Sequence, residues 1–306
     1  MKTRKSSAPL SLILVCLLAL AAQAQPTARY ETVRFESRLV GKTLPYNVVL
    51  PANYNRREAR ATRYPVVFLL HGLTGHYDNW VTKTRLTDYA ARYDLIVVTP
   101  EGNNGWYTDS ATAPSDKYES YVIQELLPDV ERRYRALSTR EGRAVAGLSM
   151  GGYGALKFGI KYPEKFAFAA SMSGAVGAAS WRAEADLPRG LIGESLRQTF
   201  GPADGPTKAQ NDLFKLVTEM PAERVKSLPF LYLDCGTEDA LRLLPTNVAL
   251  ANLLVARKIP HEYRQLPGDH NWAYWDKQVQ EVLRLSSARL AAGIDARGPR
   301  GDTAVR

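Results

Sequence analysis

Cysteine is almost missing from this chain. Only two occur in 306 residues, Cys16 and Cys235, and Cys16 falls inside an apolar run near the start. Residues 1–24 read as a secretory signal peptide: Lys2, Arg4 and Lys5 form a basic start, Leu10 to Ala22 an apolar core, and Ala22-Gln23-Ala24 a small-x-small cleavage site. Cleavage there leaves Cys235 alone. An internal disulfide is thereby excluded, although the implied destination, secreted or periplasmic, would permit one. The apolar run is shorter than the roughly 20 residues of a membrane-spanning helix, so no stable membrane anchor is expected. Val15 stands where a small residue should precede a lipid-modified cysteine, which leaves Cys16 in the discarded core.

Other absences narrow the function. There are four histidines, and no His or carboxylate pair has ligand spacing, so no metal is expected. No Gly-rich phosphate loop is visible and no cofactor is called for. The formal net charge is +9, three of its cations lying in the signal. The rest are spread along the chain without a cluster interleaved with aromatics, which argues against nucleic acid as a partner. Neither repeats nor a low-complexity linker divide the sequence. A hydrophobic content of 45% suits one large core over residues 25–292. The last stretch, 293–306, rich in Gly, Arg and Asp, reads as a flexible tail. Nothing in the sequence reports the oligomeric state.

The pattern that is present is α/β. Alternation from Thr32 to Leu50 predicts two antiparallel strands joined near Gly41-Lys42. Short apolar runs at Val66–Leu70, Leu95–Thr99, Arg143–Ala146 and Phe166–Met172 predict strands buried on both faces. Helix-like spacing separates them at Leu86–Tyr93, Tyr118–Tyr134, where Pro128 predicts a kink, and Gly152–Tyr162. Further on, Pro229–Cys235 and His261–Leu266 read as strands, Asn247–Lys258 and Trp272–Leu290 as helices. The expected architecture is a mostly parallel central sheet with helices on both faces. Residues 175–228 interrupt it as an insertion over the sheet edge, a cap or lid with a short helix at Thr207–Thr218.

Within this frame, AVAGLSMGGYGA (Ala144–Ala155) places Ser149 in a G-x-S-x-G pattern between a predicted strand and a predicted helix, the context that exposes a nucleophile. Serine needs a base, and the acid and histidine should follow it in that order. His270 lies in the loop PGDHN beyond the last strand and is preferred over His261, which opens that strand. Asp239, just past the strand ending at Cys235, is the preferred acid, with Glu238 next to it as the alternative; Asp269 abuts His270 too closely. The backbone N–H groups of Met150 and of Leu73, in the loop His71–Gly75, are the expected oxyanion donors. Trp106 and Tyr107 are candidates to line the substrate pocket, and Trp272 to brace the His270 loop.

LLHGLTGHYDNW (Leu69–Trp80), VVTPEGNNGWYTDS (Val97–Ser110), VAGLSMGGYGALK (Val145–Lys157), CGTEDAL (Cys235–Leu241) and GDHNWAYW (Gly268–Trp275) together resemble the esterase D family of α/β-hydrolases. That family includes S-formylglutathione hydrolases, feruloyl and acetyl esterases, and mycolyltransferases. The Gly105–Asp109 segment is most similar to carboxylesterases of the tributyrin-esterase type. The resemblance implies an α/β-hydrolase fold and puts the serine, acid and histidine on Ser149, Asp239 and His270. It also implies a serine carboxylesterase that works through an acyl-enzyme on a small-molecule or polysaccharide-linked ester. Short acyl chains are expected because the insertion carries balanced charge and no long greasy stripe. Alternatives are a feruloyl or acetyl-polysaccharide esterase, a thioesterase of the S-formylglutathione hydrolase type, acyl transfer to an alcohol, and a non-catalytic binding protein on a hydrolase scaffold.

Overall fold

The short apolar runs form strands whose side chains divide by parity between two cores. In the computed structural model, which describes residues 29–295, they are β3 (Val66–Leu70), β4 (Ile96–Pro100), β5 (Arg143–Leu148), β6 (Phe168–Met172) and β7 (Phe230–Gly236). β1 (Arg29–Ser37) and β2 (Lys42–Leu50) precede them, and β8 (His261–Leu266) follows. The residues read as a signal peptide, and the tail from residue 296, lie outside the described residues. Among those described, the eight strands make one sheet in the order β1-β2-β4-β3-β5-β6-β7-β8. β1 and β2 pair antiparallel, as do β2 and β4, and the pairs from β4 across to β8 are parallel.

In β3, Val66, Phe68 and Leu70 enter one apolar cluster while Val67 and Leu69 enter the other, the period of two that a doubly covered sheet demands. The first face is covered by the helices Met150–Lys161 and Leu244–Ala256, and by a helical stretch from Tyr118 to Arg133. The second is covered by Leu86–Ala90 and by Trp272–Asp295, which buries Trp275, Val279, Val282 and Leu283. The latter helix extends three residues into the stretch read as tail. The irregularity expected at Pro128 is a π-helical segment, Tyr121–Leu126, just before it. Pro128 has no N–H for the carbonyl four residues back, so the ladder widens there.

The insertion springs from between β6 and β7, two neighbours inside the sheet, packs Leu196, Phe200, Leu213 and Val217 into the first core, and brings Leu191 and Ile192 to the cleft that Ser149 lines. Its helices are Leu191–Phe200, Pro206–Asn211, Leu213–Thr218 and Ala222–Val225. The single helix expected at Thr207–Thr218 is broken at Asp212, whose carboxylate accepts the N–H groups of Phe214 and Lys215 and so starts a second helix. The hydroxyl of Tyr153, one turn into the helix after Ser149, donates to Asn211 O at 2.7 Å and ties the insertion to that helix.

Candidate active site

Ser149 stands between β5 and the helix Met150–Lys161 with φ 51° and ψ −117°, a left-handed conformation that costs a non-glycine residue on the order of 1–3 kcal/mol. Surrounding contacts hold it there. Its N–H donates to Met172 O and its carbonyl accepts from Ala175 N, each at 3.0 Å, so both sides of its peptide are fastened to the end of β6. The two glycines of the motif make the turn possible by close approach. A Cβ on Gly147 would lie 2.4 Å from the Gly151 carbonyl group, and one on Gly151 2.5 Å from His71 O.

The loops after β7 and β8 bring the other two groups to the same end of the sheet. His270 Nε2 is 3.0 Å from Ser149 Oγ, and His270 Nδ1 is 2.8 Å from Asp239 Oδ2. The Asp239 carboxylate is fully buried, and Oδ1 accepts the N–H groups of Leu241 (3.0 Å) and Leu243 (3.3 Å), which leaves Oδ2 for the imidazole. Glu238, the alternative acid, is exposed, and its amide is bound to Gly268 O. His261 opens β8 at the sheet's amino end, remote from Ser149 in a parallel arrangement, with Nδ1 against Ile259 O. Asp269 has a task that sequence reasoning missed. Its Oδ1 accepts the N–H groups of His270 (2.6 Å) and Ala240 (2.8 Å), clipping the histidine loop to the acid loop, and these two donors hold its carboxyl below the usual range. Behind His270 stands an aromatic ladder: Trp275 meets its ring edge-on at 5.0 Å, Trp272 meets Trp275 at 5.2 Å, and Trp80 meets Trp272 at 5.4 Å.

His71 organises the loop after β3. Its ring is buried, Nε2 accepts Gly102 N–H at 2.9 Å, and Nδ1 lies 2.7 Å from Gly72 O. Facing a carbonyl, Nδ1 is the donor to Gly72 O, and Nε2 also lies 3.4 Å from the buried Glu101 carboxylate. The C=O and N–H of one trans peptide point in opposite directions, so this bond turns the Leu73 N–H away from His71. Leu73 and Ser149 line the same cleft, of about 430 Å³. Leu73 N–H has no hydrogen-bond acceptor among the described residues, and Met150, the first residue of its helix, has no intrahelical one.

Trp106 and Tyr107, both at positive φ, part company. Trp106 donates from Nε1 to Ser195 Oγ at 3.0 Å and walls a smaller apolar cavity beside the cleft. Tyr107 lines neither space and corrects the expectation placed on it. It is fully buried beneath the loop of His71, its hydroxyl donating to His71 O at 3.1 Å, because a phenol that finds a core acceptor loses nothing by burial. Its carbonyl takes a hydrogen bond from buried Lys157, whose ammonium also binds Thr108 Oγ1 and Glu119 Oε2, each at 2.7 Å. Burial alone would raise the Glu119 carboxyl, but Lys157 and Lys161 outweigh it and hold it down to about 2, from an ordinary 4.5. A depressed carboxyl stabilises the fold above its unfolded value, and that contribution is lost as pH falls from about 4.5 through about 2. Glu119→Gln should cost about 3–5 kcal/mol at pH 7, since Lys157 is left buried and unpaired. It should also flatten the acid limb of stability. Urea unfolding at pH 7 and pH 3 checks both; an unchanged midpoint at pH 7 would contradict the assignment.

The family described as "Putative esterase" matches residues 37–285. An acetyl esterase of Caldicellulosiruptor saccharolyticus is 27% identical over 264 residues, spanning 83% of this chain and 97% of that protein. An esterase of Mycobacterium tuberculosis is 31% identical over 256 residues, 78% of this chain and 54% of the longer relative. Among solved structures, a fluorophosphonate-binding serine hydrolase of Staphylococcus aureus superposes with a TM-score of 0.75 at 25% identity, covering 85% of this chain and 99% of that one. This chain belongs to that esterase family and is a serine hydrolase with the α/β-hydrolase fold.

Proposed function

We propose that the protein is an exported carboxylesterase acting on short-chain acyl esters, with Ser149 as nucleophile, His270 as general base and acid, and Asp239 as the group that orients and charges-balances the imidazole. The unbroken path from Ser149 Oγ through His270 to a buried Asp239 carboxylate carries this reading. In the first half-reaction Ser149 Oγ bonds to the ester carbonyl carbon while its proton passes to His270 Nε2. The carbonyl oxygen becomes an oxyanion, held by the Leu73 and Met150 N–H groups at the positive end of the Met150–Lys161 helix. The intermediate collapses, the C–O bond to the alcohol breaks, and His270 returns the proton to the leaving oxygen. Water, deprotonated by His270, then attacks the acyl carbon, the bond to Ser149 Oγ breaks, and His270 returns the proton to Oγ as the acid leaves.

Short acyl chains are supported by the small apolar cavity beside the cleft, about 220 Å³, and by the acetyl esterase relative. Across p-nitrophenyl esters, kcat/KM should be highest at two to four carbons and at least about tenfold lower at twelve, a chain too long for that cavity to enclose. A maximum at twelve carbons would overturn the chain-length assignment. Export rests on the basic, apolar and small-x-small pattern of residues 1–24. No helix among the described residues is long and apolar enough to cross a membrane. N-terminal mass spectrometry of protein recovered outside the cytoplasm should find a chain starting at Gln25; one that retains Met1 contradicts cleavage.

A further inference from the structure

The helix Leu191–Phe200 carries different chemistry on its two sides. Ile192 and Leu196, four apart and therefore on one face, wall the 220 Å³ cavity, which Trp106, Trp181 and Ala175 help to close. Leu191, Glu194 and Gln198 share another face and wall a groove of about 350 Å³, completed by Asn103, Asn104 and Lys42. Both spaces adjoin the Ser149 cleft: Ile192 lines the cleft and the cavity, Leu191 the cleft and the groove. The cavity comes close to the nucleophile, since Ala175 N–H is bonded to the Ser149 carbonyl.

The helix is a fixed wall. Trp106 Nε1 donates to Ser195 Oγ on one side, and the Ser110 and Thr112 hydroxyls each donate to Gln198 O at 2.8 Å on the other. Gly193 lets it sit against Pro188, whose carbonyl oxygen would be 1.8 Å from a Cβ at that position. With the ester carbonyl at Ser149, the two halves of a substrate must leave in different directions. The cavity suits a hydrocarbon chain, which it can desolvate without stranding a polar group. The groove offers donors and acceptors of both signs. Asn104 engages the Thr74 amide through Oδ1, while its Nδ2 and the Glu194 carboxylate have no hydrogen-bond partner among the described residues. Hydroxyl groups can use both; Lys42 is already paired with Asp116, which also lines the groove, at 3.6 Å, so the Glu194 carboxylate is left as a net negative charge that repels an anionic alcohol.

We infer that this helix sorts the two halves of the substrate, the acyl chain into the cavity along Ile192 and Leu196, and a polyhydroxylated alcohol into the groove along Glu194 and Asn104. The inference rests on the esterase reading. It is tested with the full-length chain and two matched substrate pairs. Acetyl and butyryl esters of one alcohol report the cavity; a monoacetylated monosaccharide against ethyl acetate reports the groove. Leu196→Trp should lower the butyryl-to-acetyl ratio of kcat/KM about tenfold or more, and Ile192→Ala, which opens the same wall, should raise the ratio for hexanoyl over acetyl. Glu194→Ala combined with Asn104→Ala should lower the sugar-to-ethyl ratio about fivefold or more, chiefly through KM. Ratios that stay within about twofold in all variants would overturn the sorting role while leaving the esterase reading intact. Wild-type protein inert toward every ester would instead overturn the esterase reading itself.

Discussion

Ser149→Ala is expected to lower kcat for p-nitrophenyl acetate by about 10⁴- to 10⁶-fold, because the proposed acyl-enzyme forms on its Oγ and the residual rate would come from the oxyanion donors alone. The fold should survive the change. Alanine at φ 51° is strained to much the same degree as serine, and the backbone bonds, from Ser149 N–H to Met172 O and from Ala175 N–H to Ser149 O, do not involve the hydroxyl. Only the contact with His270 Nε2 is lost, in a cleft open to water. Near-native circular dichroism with activity gone is therefore the expected pair of results. An unfolded variant would reassign Ser149 to structure, and a variant retaining a tenth of the activity would place the nucleophile elsewhere.

Asp239→Asn should cost about 10⁴-fold in kcat, by the logic of the wrong tautomer. Oδ1 of Asp239 accepts two backbone N–H groups, so the amide oxygen of an asparagine must take that place and its NH₂ must face His270 Nδ1. The imidazole then presents a lone pair at Nδ1 and its proton at Nε2, aimed at Ser149, where it cannot accept a proton. Alanine at the same position removes the misdirecting amide, so Asp239→Ala should be no worse than Asp239→Asn despite removing more atoms. Steady-state kinetics of the two variants decide it. An asparagine variant within about tenfold of wild type would show that the acid is dispensable.

Much of this was readable in the chain, for identifiable reasons. Strands covered on both faces must be continuously apolar, so Val66–Leu70 and its counterparts stand out without knowledge of their partners. Parallel strands deliver their carboxyl ends to one place, which is why the order of Ser149, Asp239 and His270 along the chain anticipates their meeting. What stayed hidden depends on contacts between distant segments. Nothing local separates Tyr107, whose hydroxyl bonds within the core, from Trp106, whose ring reaches a cavity. The insertion reads as an irregular stretch because its helices are short and its apolar residues answer to the sheet they cover. Adjacency to His270, which disfavours Asp269 as the orienting acid, is what lets it fasten that residue's own amide. His71 in the run LLHGL resembles any polar residue ending a strand; its two-sided hydrogen bonding emerges only once Gly102 arrives from β4.

The central claim is that Ser149 is an activated nucleophile, and covalent labelling tests it most directly. The purified protein, treated with a fluorophosphonate probe and mapped by peptide mass spectrometry, should carry one adduct on Ser149, formed in step with loss of esterase activity and much slowed in His270→Ala. Labelling at another residue, or undiminished activity after full labelling of Ser149, would contradict it.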